Sequence, residues 1–425
     1  MLKKIFSNTL AQLVAKFFGA GLTLLTTYFI IRLAGLDLYG DLTKILVIVA
    51  VGFTAIDFGL NAEGLRSSPN DLSMRQSLVQ ILLARLLLSL VVVAVLNLIV
   101  GVLPGGYSRA VKSVFWLGSL AIIFQGIYTS GNAWFQYKLS YWRSTISVVV
   151  GSLVGTLLTF YYLKYSPTLF NFVLATTLGY LSMALTTLLL LCTSSAIAPE
   201  KCLQTRSSLG DPHSQFENLR IYDLRLVFPL LRRSLTLGLI IIASVIASKI
   251  DTVILGIYRL SSEVGQYGFA YRIYDVILVL PVFVMNVVYP ISVRESQKST
   301  GSKIIGNTLY ALAIISLILS VLLWFSAPLI DLVKPGMTIS IAVIKILALA
   351  LPFFYLTAPL MWGLIAKKRD KVVLAIYLAA AILNATLNLL LIPSFGATAA
   401  AWNTGITELF IFLSLLYFSR TNLRI

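Results

Sequence analysis

The sequence predicts an all-α polytopic membrane protein with about 12 transmembrane helices arranged as two six-helix lobes around a central cavity. Three observations carry this. The 425 residues are 58% hydrophobic and only 12% charged, with mean hydropathy +0.92, against roughly 25% charged residues in a soluble domain. Apolar windows of about twenty residues, enough to cross a bilayer at about 1.5 Å per residue, recur along the whole chain. The basic residues fall mostly in alternate short loops between those windows.

Taken in order, the windows are 10–31, 42–61, 78–103, 112–131, 144–163, 169–192, 235–258, 269–291, 304–330, 338–365, 372–392 and 397–418. The amino end, Met1-Leu-Lys-Lys, has the look of a secretory n-region. The run behind it nevertheless holds Lys16, continues to Ile31 and has no small-x-small cleavage site, so it is expected to be the first membrane helix. With both termini on the cytoplasmic side, about 21 Lys and Arg lie inside, about 7 outside and about 5 within helices, the bias expected of that orientation. Lys367, Lys368, Arg369 and Lys371 form the densest cluster. A formal charge of +17 is thereby a matter of topology, and nucleic-acid binding is not expected.

The longest hydrophilic connection, 193–234, divides the chain into an amino-terminal lobe (1–192) and a carboxy-terminal lobe (235–425). Its halves show an internal echo. Tyr39-Gly40 after the first window corresponds to Tyr267-Gly268 after the seventh, and the same shift lays Lys164-Tyr-Ser-Pro over Ile392-Pro-Ser-Phe. Two lobes that both start inside are related by an axis along the membrane normal, with a cavity between them. Cys192 and Cys202 border a cytoplasmic loop where thiols stay reduced, and His213 stands alone, so neither a disulfide nor a metal site is expected.

Function is sought in charges placed where lipid would penalise them. A Lys, Arg or Asp near the centre of a membrane helix costs about 2.5 to 3.5 kcal/mol on insertion scales and therefore faces protein or a watery cavity. The seventh helix holds Lys249 and Asp251. Two residues apart, they point to different sides: Asp251 shares a face with Ser244 and Ser248, and Lys249 with Thr252 and Val253. In the eighth helix Arg272 and Asp275 have the spacing of an ion pair. Arg85 lies too deep to snorkel; Lys16 and Lys345 lie nearer the ends of their helices. Asp57, with Asn61 one turn on, and Glu408 are candidates for proton or cation coupling or for structural pairing. The fourth helix shows a polar stripe, Gln125, Thr129, Asn132 and Gln136, beside Tyr128; its amides suit sugar hydroxyls or interhelical hydrogen bonds, and Asn384 and Asn388 form a smaller pair. No phosphate-binding Gly-rich loop, metal-spaced cluster or catalytic constellation is present in the sequence, and no cofactor beyond a coupling H+ or Na+ is expected.

Gly35-Leu-Asp-Leu-Tyr-Gly, Asp57-Phe-Gly-Leu, Lys249-Ile-Asp-Thr-Val-Ile-Leu-Gly, Val264-Gly-Gln-Tyr-Gly-Phe-Ala-Tyr-Arg-Ile, Pro290-Ile-Ser and Ile392-Pro-Ser-Phe-Gly-Ala-Thr-Ala-Ala-Ala occur in this order. Together they resemble the lipid-linked oligosaccharide flippases of polysaccharide biosynthesis, within the multidrug/oligosaccharidyl-lipid/polysaccharide exporter superfamily. The resemblance implies a cavity lined by helices one, two, seven and eight, and alternating access across the bacterial cytoplasmic (inner) membrane. It implies an undecaprenyl-pyrophosphate-linked repeat unit of O-antigen, capsule or exopolysaccharide as substrate. By position, Lys16, Arg85, Lys249 and Arg272 become the basic cavity residues, Lys249 foremost, with Gln125 and Asn132 as polar ones. Asp251 is left to bind a neighbouring helix or to take part in coupling. Membrane lipids and the pathway's polymerase and glycosyltransferases are the implied partners. Two other readings stand beside it: a cation-coupled multidrug exporter on the same fold, dependent on Asp57, Asp251 or Glu408, and a polysaccharide polymerase. A positive cavity favours the anionic lipid; a negative one favours a cationic drug.

Overall fold

A computed structural model describes residues 17–66, 71–194, 227–294, 300–367 and 369–420. Among these residues eleven helices are long and apolar enough to cross a membrane. The order is α1 (Phe17–Ala34), α2 (Leu36–Asp57), the short α3 (Leu60–Arg66), α4 (Asp71–Val102), α5 (Arg109–Tyr137), α6 (Tyr141–Tyr165), α7 (Leu169–Cys192), α8 (Val227–Tyr258), α9 (Ser261–Arg294), α10 (Thr300–Ser326), α11 (Thr338–Ala366) and α12 (Asp370–Arg420). The chain is an all-α, multi-pass membrane protein.

The eleventh long helix resolves the difference from twelve. At 51 residues α12 would be about 75 Å long, more than twice the roughly 30 Å hydrocarbon layer. It is broken at Gly396, whose φ of 61° and ψ of −140° lie outside helical space. The two arms, 370–395 and 397–420, fold back on each other. Asn384 donates to Thr407 at 3.0 Å and Asn403 to Asn388 at 3.0 Å, two pairs that join the arms across the break. The helix ends at the break are both capped from elsewhere in the chain. Arg259 donates to the carbonyls of Ile392 and Pro393 at the end of the first arm, and Glu263 accepts from Ala397 N at the start of the second. Each charge sits at the helix end whose dipole favours it.

Most helices start earlier than the hydropathy windows place them, α2 and α9 among them. The Leu36-Asp-Leu-Tyr-Gly and Gly265-Gln-Tyr-Gly stretches, expected as loops, lie within the first two turns of α2 and α9. Asp37 and Glu263 in those turns suit a helix amino end, where an acidic residue is stabilising although it lowers hydropathy. The second of these stretches is a junction. Gly265 lies against α2, where a Cβ would come within 2.6 Å of the Leu36 carbonyl. Gln266 accepts from Ile339 N and Ser340 N and so caps α11. Tyr267 reaches Asp251 of α8, and Gly268 packs on Thr43 of α2.

Around this junction α2 packs on α8 and α9, and α9 packs on α11. One continuous apolar core runs through both halves of the chain, from Ile48 and Phe115 to Val264, Leu347 and Ala400. Elsewhere α6 packs closely on α7, and α12 packs on α8 and α11. Gly396→Ala places a Cβ at the Glu263 carboxylate and forces a left-handed alanine. We expect it to destabilise the purified protein by about 1–3 kcal/mol in thermal unfolding. Gly306→Ala, at an open position within α10, should leave the midpoint unchanged or raise it.

Candidate functional site

A cavity of ≈ 480 Å³ opens inside the amino-terminal helices, lined by α1, α2, α5, α6 and α7. Most of the polar side chains that line it carry hydroxyls: Thr23, Thr26 and Thr27 of α1, Ser152, Thr156 and Thr159 of α6, Thr176 and Tyr180 of α7, and Tyr128 of α5, beside Gln125. A single charged side chain lines it among the described residues, and it comes from the other half of the chain: Arg272 of α9. Of the four helices expected to line a cavity, α1, α2 and, through Arg272, α9 contribute to this one, and α5, α6 and α7 supply the rest of its wall. The α2–α9 contact brings Arg272 to the wall of the amino-terminal helices.

The other predicted charges are placed as follows. Asp275 pairs with Lys249 of α8, Nζ lying 3.1 and 3.2 Å from its two oxygens, so of the two readings of Arg272, a pair with Asp275 or a place at a cavity, the second is the one this geometry favours. The geometric reason is that Lys249 of α8 reaches both carboxylate oxygens of Asp275, while Arg272 turns to the cavity. Lys249 also stacks over Tyr271, 4.8 Å from the ring centroid, and lies outside the wall of this cavity. Asp251 is fully buried, separated from Lys249 as its register requires. It accepts from Tyr267 at 2.5 Å and from the backbone and hydroxyl of Thr252, and Thr404 of α12 lies 3.1 Å away. Tyr271 in turn donates to Thr404, so Asp251 ties α8, α9 and α12 together. Glu408, buried one turn beyond Thr404, extends this polar zone.

Arg85 is the clearest departure. Its side chain is fully buried away from the cavity and is consumed by protein acceptors: Ile56 O and Asp57 O, Asp57 Oδ1 at 3.2 Å, Asn61 Oδ1 and Ser130 Oγ. Asn61 donates onward to the Thr129 carbonyl at 2.9 Å. Where α2 ends at a left-handed Phe58, its terminal carbonyls lack helical partners, and the guanidinium fork satisfies them while fastening α2 to α4 and α5. Asp57 belongs to this knot. In the polar stripe of α5, Gln125 and Tyr128 line the cavity, whereas Asn132 is half-buried outside it. Lys345 stacks on Trp324. Lys16, Lys368, Cys202 and His213 lie outside the described residues.

Sequence reading missed Lys44. Its ammonium, buried in α2, uses all three donors: Gly106 O at 2.6 Å, Ser261 Oγ at 2.7 Å and Asp41 Oδ1 at 3.3 Å. Ser261 of α9 completes the lock by donating to Asp41 at 2.5 Å. Gly106 N donates to Ile257 O, and Tyr107 donates to Val253 O from a buried hydroxyl that burial holds above the usual phenol range. Gly40 permits this approach, since a Cβ there would overlap the Ser261 backbone. The signal was available as a lysine with an acid three residues earlier, but hydropathy placed it at a window edge.

No protein-family model matches the chain, and no curated protein sequence matches it. Solved structures do. The chain is similar to lipid II flippase MurJ in an inward closed conformation, at TM-score 0.73 and 14% identity over 96% of this chain and 87% of that one. It is also similar to an inward-facing multidrug resistance MATE transporter of the MOP superfamily, at TM-score 0.72 and 12% identity over 94% of each chain. A Vibrio cholerae MATE transporter, VcmN, matches at TM-score 0.63 and 12% identity over 99% and 97%. The fold is that of membrane flippases and exporters, and these neighbours are transporters rather than enzymes.

Two outcomes test the geometry. Arg85→Met strands the α2 carbonyls and Asn61, and it should lower stability by about 2–4 kcal/mol in chemical or thermal unfolding, more than Lys249→Met at its partly exposed pair. Ser261→Val removes the lock between α2 and α9. With Cys192→Ser and Cys202→Ser in place and Thr27→Cys as reporter, it should speed labelling by an impermeant maleimide added on the face that carries the α1–α2 turn. Unchanged labelling would show that these hydrogen bonds do not hold that end shut.

Proposed function

We propose that the protein is a flippase that moves an undecaprenyl-pyrophosphate-linked saccharide across the cytoplasmic membrane by alternating access, for surface polysaccharide assembly. The observation that carries this reading is the character of the cavity: its only charged lining residue, among those described, is Arg272, and no described carboxylate lines it. A guanidinium in a site of low dielectric attracts phosphate strongly and binds it through paired N–H donors. A cationic drug would instead need an acid in the wall. The likeness to a structure titled as a lipid II flippase supports the same reading through the fold. Exposed apolar side chains of α1 and α6, Leu25 and Leu33 on one and Leu153 and Leu157 on the other, would let a polyprenyl chain remain in lipid while the head group crosses.

In this reading the helices α1–α7 and α8–α12 form the two moving lobes, the face with the α1–α2 turn is periplasmic, and both termini are cytoplasmic. Lys44, Asp41 and Ser261 close the periplasmic face. Because Asp41 and Lys44 share one helix, their pair survives when the lobes part, and no buried charge is stranded. Arg272 ties the anion to the carboxy-terminal lobe while the hydroxyl wall belongs to the amino-terminal one. The ligand itself therefore bridges the lobes. Asp251 and Glu408, buried in the carboxy-terminal lobe, are the groups proposed for H+ or Na+ coupling, and the pathway's polymerase and glycosyltransferases would act on either side of the step.

The experiment is translocation of a fluorescent polyprenyl-pyrophosphate saccharide in proteoliposomes. Arg272→Gln should reduce the rate at least about tenfold, while Lys249→Met combined with Asp275→Asn, which removes a neutralised pair, should retain most of it. Parental rates in correctly inserted Arg272→Gln would sink the assignment. Asp251→Asn should lower the dependence of rate on an imposed ion gradient more than it lowers binding.

A further inference from the structure

The polar groups of the cavity differ in whether their protons are free. Thr23 donates to the Gly19 carbonyl at 2.8 Å, Thr26 to the Thr23 carbonyl at 2.9 Å, Thr159 to Gly155 at 2.8 Å and Thr176 to Phe172 at 2.9 Å. The side chains of Thr27, Ser152, Thr156, Gln125 and Tyr180 make no hydrogen bond among the described residues, and neither does that of Arg272. A serine or threonine on a helix can return its proton to a carbonyl one turn back, as four threonines here do. Tyr180 has no such outlet, because its hydroxyl stands beyond the ring, out of reach of the carbonyls of its own helix.

The packing of α7 places this phenol. Gly179 lets α7 lie against α6, since a Cβ there would come within 3.0 Å of the Gly151 carbonyl. One residue on, about 100° around the helix, Tyr180 turns to the cavity with Thr176, and its ring meets Phe53 of α2 with centroids 4.9 Å apart. There the phenol lies within the electrostatic reach of the Arg272 guanidinium, which enters from α9. A cation favours the phenol orientation that turns the oxygen lone pairs toward it and the O–H away, toward an arriving acceptor.

We propose that Tyr180 is the second ligand of the phosphoryl group, donating its O–H to an oxygen of the anion that Arg272 holds. The inference rests on the flippase reading for the identity of that anion, and it adds a donor from the amino-terminal half of the chain to the cation from the carboxy-terminal half. An ionised phosphate presents several acceptor oxygens and takes both donors at once, and an O–H donated to an anionic oxygen is among the shorter and stronger hydrogen bonds. Gln125, which donates and accepts, suits a sugar hydroxyl better than an anion. Because α7 and α9 lie in different halves, an anion bound to both favours the arrangement in which both reach it.

The test uses the full-length protein in nanodiscs and two radiolabelled ligands, a sugar-free polyprenyl pyrophosphate and inorganic pyrophosphate, with bound label counted over protein-free nanodiscs. Tyr180→Phe keeps the ring against Phe53 and removes only the hydroxyl, so the thermal midpoint should not move. It should weaken both ligands about tenfold, the worth of one hydrogen bond to a charged group. In an Arg272→Gln background the same change should cost less than about threefold, because the anion is no longer held where the phenol reaches it. Parental affinity in Tyr180→Phe, or the same loss in both backgrounds, overturns the inference and leaves the flippase reading standing. If inorganic pyrophosphate binds with this dependence on Tyr180 and the lipid does not bind, the flippase reading fails and the anion site stands. If neither ligand binds the parental protein, both fail.

Discussion

Lipid offers a charged side chain no solvent, so every ion inside the spanning region has to be neutralised by the protein or placed against a watery space. That constraint sorts the cations of this chain. Arg85 is saturated by the frayed end of α2, Lys44 by the contact between α2 and α9, Lys249 by Asp275 and Arg259 by the carbonyls at the α12 break. Each of these places a charge where a helix end, a partner acid or a hydroxyl supplies compensation. Arg272 lines a cavity instead. A cation left facing water inside a membrane protein is where an anion gains most, because the surrounding protein screens it least.

The same constraint explains why the α2–α9 contact sits at the centre of the architecture. Two helices that bring backbone within reach of backbone need glycine at the crossing, and Gly40 and Gly265 provide it. Once they are close, Asp41, Lys44 and Ser261 come into one small network, Gln266 meets the amino end of α11, and Tyr267 reaches Asp251. Arg272 follows Gly268 by about one turn on the same helix, so the packing that closes one end of the molecule also sets how far the guanidinium projects into the cavity.

Much of the fold was legible because membrane helices announce themselves by length and hydropathy, and all-α membrane architecture followed from that alone. The internal echo marked the Tyr-Gly stretches before their role was visible: they are interface residues inside helices, not loops, since a helix start rich in Asp, Gln and Gly falls below any hydropathy threshold. The site was less legible. Register separated Lys249 from Asp251 correctly, because two residues on a helix are about 200° apart. It could not decide between Arg272 and Lys249 as the partner of Asp275, because that choice depends on which helix lies alongside α9. Arg85 misled for a related reason. Depth in a membrane helix measures the penalty for a charge and carries no information on whether the compensation is structural or functional.

The two halves of the chain, though echoing each other in sequence, have been furnished with opposite chemistry. The amino-terminal helices enclose hydroxyls and no described acid at the cavity. The carboxy-terminal ones enclose Asp251 and Glu408 among tyrosines and asparagines, with the Asn384, Asn388, Asn403 and Thr407 hydrogen bonds closing the hairpin of α12. Asp251 belongs to α8, yet its carboxylate is shared with α9 through Tyr267, the residue next to Gly268 at the α2 contact. Any change in the charge of Asp251 would alter a hydrogen bond made by the very turn of α9 that holds the two halves together. On the proposed flippase reading, a carboxylate so placed would bias the α2–α9 contact without touching the ligand, as coupling an ion to a transport cycle requires: two sites, one shared element, and a different affinity in each of its positions.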